Sequence, residues 1–182
     1  MDQEKVKFLN PEKIVQKLDI KKGETIADLG CGSGFLAIEM AKKVGEQGKI
    51  YAIDILEKQL ESVESLARAN FLFNIETIRA NLEAKDHLKI ISDQGKIDKV
   101  ILSNVLSENE NKAAMIVQAA DILKTQGKLI IIDWKATDLK MGPARELLTD
   151  KEKVKEFCLN NNLNFVKDIE VGQFHWGIIF EK

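Results

Sequence analysis

The 182-residue chain holds only two cysteines, two prolines, two histidines and one tyrosine, and each shortage excludes something. Cys31 and Cys158 stand far apart with no CxxC pair. Neither a disulfide framework nor a zinc site is implied, and no metal is expected. Reduced thiols fit a cytoplasmic protein. Pro11 and Pro143, with no Ser/Gly-rich stretch between them, leave no interdomain linker. No apolar run approaches the ~20 residues of a membrane span. Met1–Phe8 is mostly charged and polar, so it lacks the apolar core of a signal peptide. Charge of one sign is missing too: 27 Lys+Arg against 29 Asp+Glu give a net charge of −2. A chain without a global basic footprint argues against a dedicated nucleic-acid binder, though a local basic groove stays open.

What is present is an alternation. Thr25–Leu29, Lys49–Asp54, Ile75–Arg79, Ile97–Ser103 and Lys128–Asp133 read as strands. Runs such as Val100-Ile101-Leu102 and Leu129-Ile130-Ile131-Ile132 are apolar on both faces, as in a parallel sheet covered by helices on each side. Between them, Leu56, Leu60, Val63, Leu66, Ala67 and Phe71 fall near helical spacing, with Glu64 and Arg68 as an i,i+4 pair. A second stripe, Ala113, Ile116, Val117, Ala120 and Leu123, predicts a helix closed by Gly127. Asn10 reads as the N-cap of a first helix opening at Pro11. Phe165–Val171 and Phe174–Phe180 are joined through Gly172-Gln173. So short a link permits only an antiparallel hairpin. The expectation is a doubly wound α/β sheet of seven strands, mostly parallel, with an antiparallel C-terminal hairpin strand. One domain over 1–182 is expected, with 1–20 as a helical cap and 21–182 as the core.

Asp28-Leu29-Gly30-Cys31-Gly32-Ser33-Gly34 follows the first strand and leads into a helical stretch, Phe35–Val44. Glycines let the chain turn sharply and let a ligand lie against bare backbone, while a helix start offers free N–H groups. Asp54 ends the second strand, and a carboxylate there can accept hydrogen bonds from both hydroxyls of a ribose. A dinucleotide fingerprint, GxGxxG, needs glycine where this chain has Phe35. A phenylalanine would crowd the approach of helix to strand, which disfavours NAD.

Thr25–Val44, the Tyr51-Ala52-Ile53-Asp54 strand end and Leu123–Leu129 resemble the class I S-adenosylmethionine-dependent methyltransferases. Within that Rossmann-like family the chain is most similar to the small-molecule group that includes the ubiquinone/menaquinone-biosynthesis methyltransferases. The resemblance covers nearly the whole chain. It implies that Gly30, Cys31, Gly32 and Gly34 line the methionine and ribose part of S-adenosylmethionine. It also implies that Asp28 helps place the methionine amino group, that Asp54 binds the ribose, and that Ile55 and Leu56 pack on the adenine. Asn81, with Leu82, stands where the family often has an acid for the adenine amino group, and an Asn carbonyl can accept that bond without charge. Ser103-Asn104-Val105 would floor the methyl-transfer site.

A methyl group already activated on sulfur needs mainly an aligned nucleophile, and a base only if a proton must leave. The chain has no motif for such a base; Asp133, Lys135 and His175 are the candidates for acid–base work. Ser103-Asn104-Val105-Leu106 departs from the Asn/Asp-Pro-Pro-aromatic signature of amide and exocyclic-amine N-methyltransferases. Substrate cover is expected from residues 1–11, the Asn104–Asn111 loop and the Trp134–Asp150 connection, with Trp134, Leu139 and Met141 as an apolar lid over a small acceptor. The chain is expected to act as a monomer or homodimer. Two other readings stay open: a non-catalytic S-adenosylmethionine-binding subunit, and an RNA methyltransferase marked by steep salt dependence.

Overall fold

The computed structural model describes residues 9–84, 87–88, 91, 97–136 and 142–182. Leu139 and Met141 of the expected lid, and residues 1–8, lie outside them. Seven strands form one sheet: β1 (Thr25–Leu29), β2 (Lys49–Asp54), β3 (Ile75–Arg79), β4 (Ile97–Ser103), β5 (Leu123–Trp134), β6 (Asn164–Ile169) and β7 (His175–Glu181). Their spatial order is β3-β2-β1-β4-β5-β7-β6. The pairs from β3 through β5 are parallel. β7 runs antiparallel to both β5 and β6, so the hairpin places one reversed strand inside the sheet.

Alternation of side chains explains the two cores. Leu29, Ile53, Leu102, Ile131 and Ile178 point to one face, where they meet Met115, Ile116, Val154 and Cys158. Those partners come from α4 (Lys112–Ile122) and α5 (Lys151–Asn160). Ile26, Ile50, Ile101, Ile130 and Ile179 point to the other face and pack on α1 (Pro11–Lys17) and α2 (Phe35–Val44). The stripe of α3 (Glu57–Ala69) joins this second core through Val63. Burying a branched aliphatic side chain contributes ~1.5–3 kcal/mol, so strands apolar on both faces hold the centre of the sheet. Asn10 caps α1, its Oδ1 accepting from Lys13 N at 3.0 Å, with Pro11 in the first helical position. No helix among the described residues is long and apolar enough to cross a membrane.

The helix expected to close at Gly127 ends earlier. α4 stops at Ile122, and Leu123 adopts extended backbone at φ −70° and ψ 141° to pair with Ile97. The register then shifts, since Lys99 pairs with Lys128. Gly127 is therefore a strand residue: a Cβ there would sit 2.8 Å from Lys124 O and 3.1 Å from Ile97 O. The carbonyls at the helix end are satisfied instead by Lys182 Nζ, which donates to Ala120 O at 2.7 Å and Leu123 O at 3.0 Å.

The order in which successive strands join the sheet reverses between β3 at one edge and β4 beside β1, so the C-terminal ends of β1 and β4 flank a topological switch point. The glycine loop sits there.

Candidate active site

Gly30, Gly32 and Gly34 all have left-handed backbone, at φ +72°, +50° and +83°. At Gly30 and Gly34 the lack of a side chain also permits close packing. A Cβ on Gly30 would lie 2.4 Å from Val105 Cγ2, and one on Gly34 2.6 Å from Val63 Cγ2. At Gly32 nothing lies within 4 Å, so this glycine leaves open space. The amides of Gly30 and Cys31 both donate to Ile53 O, at 2.8 and 2.9 Å, which ties the loop to the end of β2. Phe35 is 63% exposed, so it does not stand between helix and strand as the sequence suggested. The close approach falls at Gly34 instead, against α3.

Asp54 organises both walls. Its Oδ2 accepts from Gly32 N at 2.9 Å, and its Oδ1 accepts from Leu56 N at 2.9 Å. Beside it, Ile55 and Leu56 present exposed aliphatic side chains. A cleft of about 540 Å³ opens here, bringing together Gly30, Cys31, Gly32, Asp54, Ile55, Asn81, Leu82 and Ser103 of the expected residues. Gly34 and Asp28 are not on its wall. Asp28 is 2% exposed, and its Oδ2 has no hydrogen-bond partner. Burial first, and Asp54 second, push its carboxyl up to about 7. Asn81 Oδ1 already accepts from Glu83 N at 2.9 Å, which leaves the oxygen one further lone pair.

The β4 end is shaped by Asn104, at φ +59°, whose amide donates to Ile132 O at 2.8 Å. Its Oδ1 is buried without a partner. A 3-10 turn, Leu106–Glu108, follows and carries Glu108 and Asn109 to the cleft. Glu108 was missing from the sequence-derived candidates. The available signal was an acid inside the Asn104–Asn111 loop, itself expected to cover substrate. Glu108 is exposed; partial desolvation, then the charges of Asp133 and Asp54, hold its carboxyl above the usual range. Among the described lining residues Asp54, Glu83 and Glu108 carry negative charge, and none is Lys or Arg.

The three acid–base candidates from the sequence lie outside this lining. Asp133 is fully buried, accepting from Ser107 N at 3.0 Å and Trp134 N at 2.8 Å. Burial raises its carboxyl pKa, and the Ser107 and Trp134 hydrogen bonds oppose that rise. His175 pairs across the ladder with Trp134, the last residue of β5, and the rings stack at 4.2 Å with a 43° tilt. Its Nε2 has no partner, and desolvation, followed by the charge of Lys135, lowers its pKa to about 4. Gly142 lies against Trp134, where a Cβ would meet Cε3 at 2.7 Å. Lys135 is tied to the hairpin, its amide donating to Phe174 O at 2.8 Å and its Nζ to Gly172 O at 3.4 Å.

A sequence profile described as "Methyltransferase domain" matches residues 20–182. The chain is 29% identical over 121 residues to the ubiquinone/menaquinone biosynthesis C-methyltransferase of Francisella philomiragia, covering 66% of this chain and 46% of that protein. It is 32% identical over 120 residues to the probable cobalt-precorrin-6B C(15)-methyltransferase (decarboxylating) of Saccharolobus solfataricus, covering 65% and 56%. The chain thus spans about half the length of the curated relatives it matches. In fold it is similar to a solved SAM-dependent methyltransferase from Aquifex aeolicus, with a TM-score of 0.82, 23% identity, and coverage of 99% of this chain and 93% of that one.

Proposed function

The chain belongs to the methyltransferase-domain family of class I S-adenosylmethionine-dependent enzymes, and on that premise we propose that it moves a methyl group from S-adenosylmethionine to a small-molecule acceptor. The observation that carries this reading is the pairing of Asp54 with Gly32 at the switch point. One carboxylate fixes the glycine loop and stands beside an exposed aliphatic pair, Ile55 and Leu56.

The residues suit the donor. Asp54 would accept the ribose hydroxyls on its remaining lone pairs, and Ile55 and Leu56 would cover a flat base. Asn81 and Leu82 would border the base from the end of β3. Gly30, Cys31 and Gly32 would form the bare backbone along the ligand, with Gly34 seating the loop on α3 behind them and Ser103 at the end of β4. Asp28, buried behind the wall with one unpartnered oxygen, would help to place the amino group through a bridging water. An acidic lining opposes a dinucleotide pyrophosphate and favours a cation. When bound, S-adenosylmethionine supplies an electrophilic methyl group; the chain's own task is to hold an acceptor in line with it. Proximity of that kind is worth ~7–11 kcal/mol. Lys135, His175 and Asp133 are less suited to acid–base work than the sequence suggested, because none lines the cleft.

We also propose that residues 1–182 act as one unit in the cytoplasm, with 1–20 as an N-terminal helical cap whose described residues pack on the α2 face. Ile14, Val15, Leu18 and Ile20 share an apolar core with Ile26 and Ile50, which supports that division. Calorimetric titration with S-adenosylhomocysteine and, in parallel, NADH tests the function. Binding of the first alone is expected; binding of NADH alone would replace the proposal with an oxidoreductase.

A further inference from the structure

The cleft has two unlike ends. At the end of β2, Asp54 and the exposed Ile55 and Leu56 suit a ribose and a base. At the end of β4, Asn104, Glu108 and Asn109 form the wall. A nucleoside seated at the first end directs the rest of an S-adenosyl ligand toward the second. What distinguishes the second end is an exposed, unneutralised carboxylate carried on a fixed turn. The turn bearing Glu108 is held on both sides: Ser107 N donates to buried Asp133, and Asn109 Nδ2 donates to Val105 O at 2.7 Å. Upstream, Asn104 N is anchored on Ile132 O at 2.8 Å.

No hydrogen bond or ion pair among the described residues engages the Glu108 carboxylate. The charged groups around it are themselves negative: Asp54 on β2 and Asp133 on β5 act on it directly, and Glu83 lines the same cleft. The nearby cation on α4, Lys112, is turned elsewhere, donating to Asn109 O at 3.2 Å and Leu147 O at 3.4 Å. An exposed carboxylate in such company gains from a positive ligand, by an amount that solvent screening keeps modest.

We propose that Glu108 is the charged group at the methyl-transfer end of the cleft, where its carboxylate faces the sulfonium and sets the preference of the site for the positive methyl donor over its neutral product. The inference rests on the proposed methyltransferase function and assigns a residue that the sequence reading did not. During transfer the acceptor's electron pair forms the new bond to carbon, and the carbon–sulfur pair returns to sulfur. The positive charge leaves sulfur in that step, so Glu108 holds the donor and relaxes its hold on the product.

The test needs no acceptor. Calorimetric affinities for S-adenosylmethionine and S-adenosylhomocysteine are measured for the unmutated protein, Glu108→Gln and Glu108→Asp. Glu108→Gln is expected to weaken donor binding about fivefold, the contribution of one partly solvated charge, and to leave product binding within about twofold. Glu108→Asp keeps most of the donor preference. In the unmutated protein the donor-to-product affinity ratio falls as pH drops through the Glu108 titration, while in Glu108→Gln it stays flat. Asp28 also titrates, but it would act, through water, on an amino group common to both ligands, so its effect cancels in the ratio. Equal weakening of both ligands, or an unchanged ratio, overturns the proposal. If Glu108→Gln does not fold, Glu108→Asp and the pH profile of the unmutated protein decide. Failure of the unmutated protein to bind either ligand removes the proposed function and this inference together.

Discussion

Gly32 and Asp54 lie 22 residues apart, and the Gly32 amide donates to Asp54 Oδ2 at 2.9 Å. Because the other oxygen of the same carboxylate accepts from Leu56 N, Asp54 shapes the loop as well as facing the cleft. Asp54→Ala is expected to lower S-adenosylhomocysteine affinity by roughly ten- to a hundredfold and stability by ~1–3 kcal/mol, since hydrogen bonds to a charged group are the stronger kind. Asp54→Asn retains an acceptor for one amide and falls between. Calorimetry and urea denaturation on the same samples separate the two effects.

The glycines of the loop do different jobs. Gly34→Ala puts a methyl group 2.6 Å from Val63 Cγ2 at φ +83°, so a stability loss of ~2–4 kcal/mol is expected. Gly32→Ala meets no atom within 4 Å and costs only ~1 kcal/mol of backbone strain. Its methyl group occupies open space in the cleft wall, and ligand affinity drops about tenfold. Thermal unfolding of both variants, compared with their titrations, should show this inversion.

Asp28 makes stability and binding depend on pH. Its carboxyl is raised to about 7 in the fold from 3.8. As pH rises, the unfolded chain therefore loses its proton first. The cost to stability is absent at low pH, grows between about pH 4 and pH 7, and is constant above that. Asp28→Asn removes this cost, a gain on the order of 4 kcal/mol at neutral pH. An ammonium ligand needs the ionised form, so binding near pH 6 should release a proton. Titrations in buffers of different ionisation enthalpy will detect it, and the release should vanish in Asp28→Asn.

Asp133 serves as a fastener. Asp133→Ala strands the amides of Ser107 and Trp134 in a buried site, for an expected loss of ~2–4 kcal/mol by urea denaturation. Asp133→Asn keeps the fold and keeps donor binding, because its oxygen can still serve one of the amides.

His175 should favour neutrality. Its pKa of about 4 lies below the ordinary 6.5, so protonation opposes folding: its contribution is intact above about pH 6.5 and lost as pH falls toward 4. His175→Phe keeps an aromatic ring against Trp134, and its stability should decline less over that range in denaturation measured at several pH values.

Strand positions were legible because they depend on local chemistry. Five aliphatic runs gave β1 to β4 with their observed limits and half of β5, and the hairpin link gave the β6–β7 pair. The helix end at Gly127 was misread because the stop comes from Lys182, 62 residues beyond Ala120, reaching back to cap the carbonyls. Phe35 was assigned the wrong neighbour for a similar reason: its exposure follows from where α2 meets α3, which periodicity does not encode. The glycine loop, Asp54 and the Asn81–Leu82 step were readable and converge on one cleft. Glu108 was not, and Asp133 was credited with a reach it lacks.

Composition and pattern alone determined the class of sheet, the place of its ligand loop and the acid opposite it, because strand periodicity, glycine and chain direction act over a few residues at a time. Tertiary structure decided which carboxylates face the cleft and which are spent inside. Asp133 and Glu108 are both acids near strand ends, yet one is consumed by two buried amides while the other stands in the cleft wall. That difference arises where β5 packs under the turn after β4. Side-chain direction there follows from contacts between segments distant in sequence.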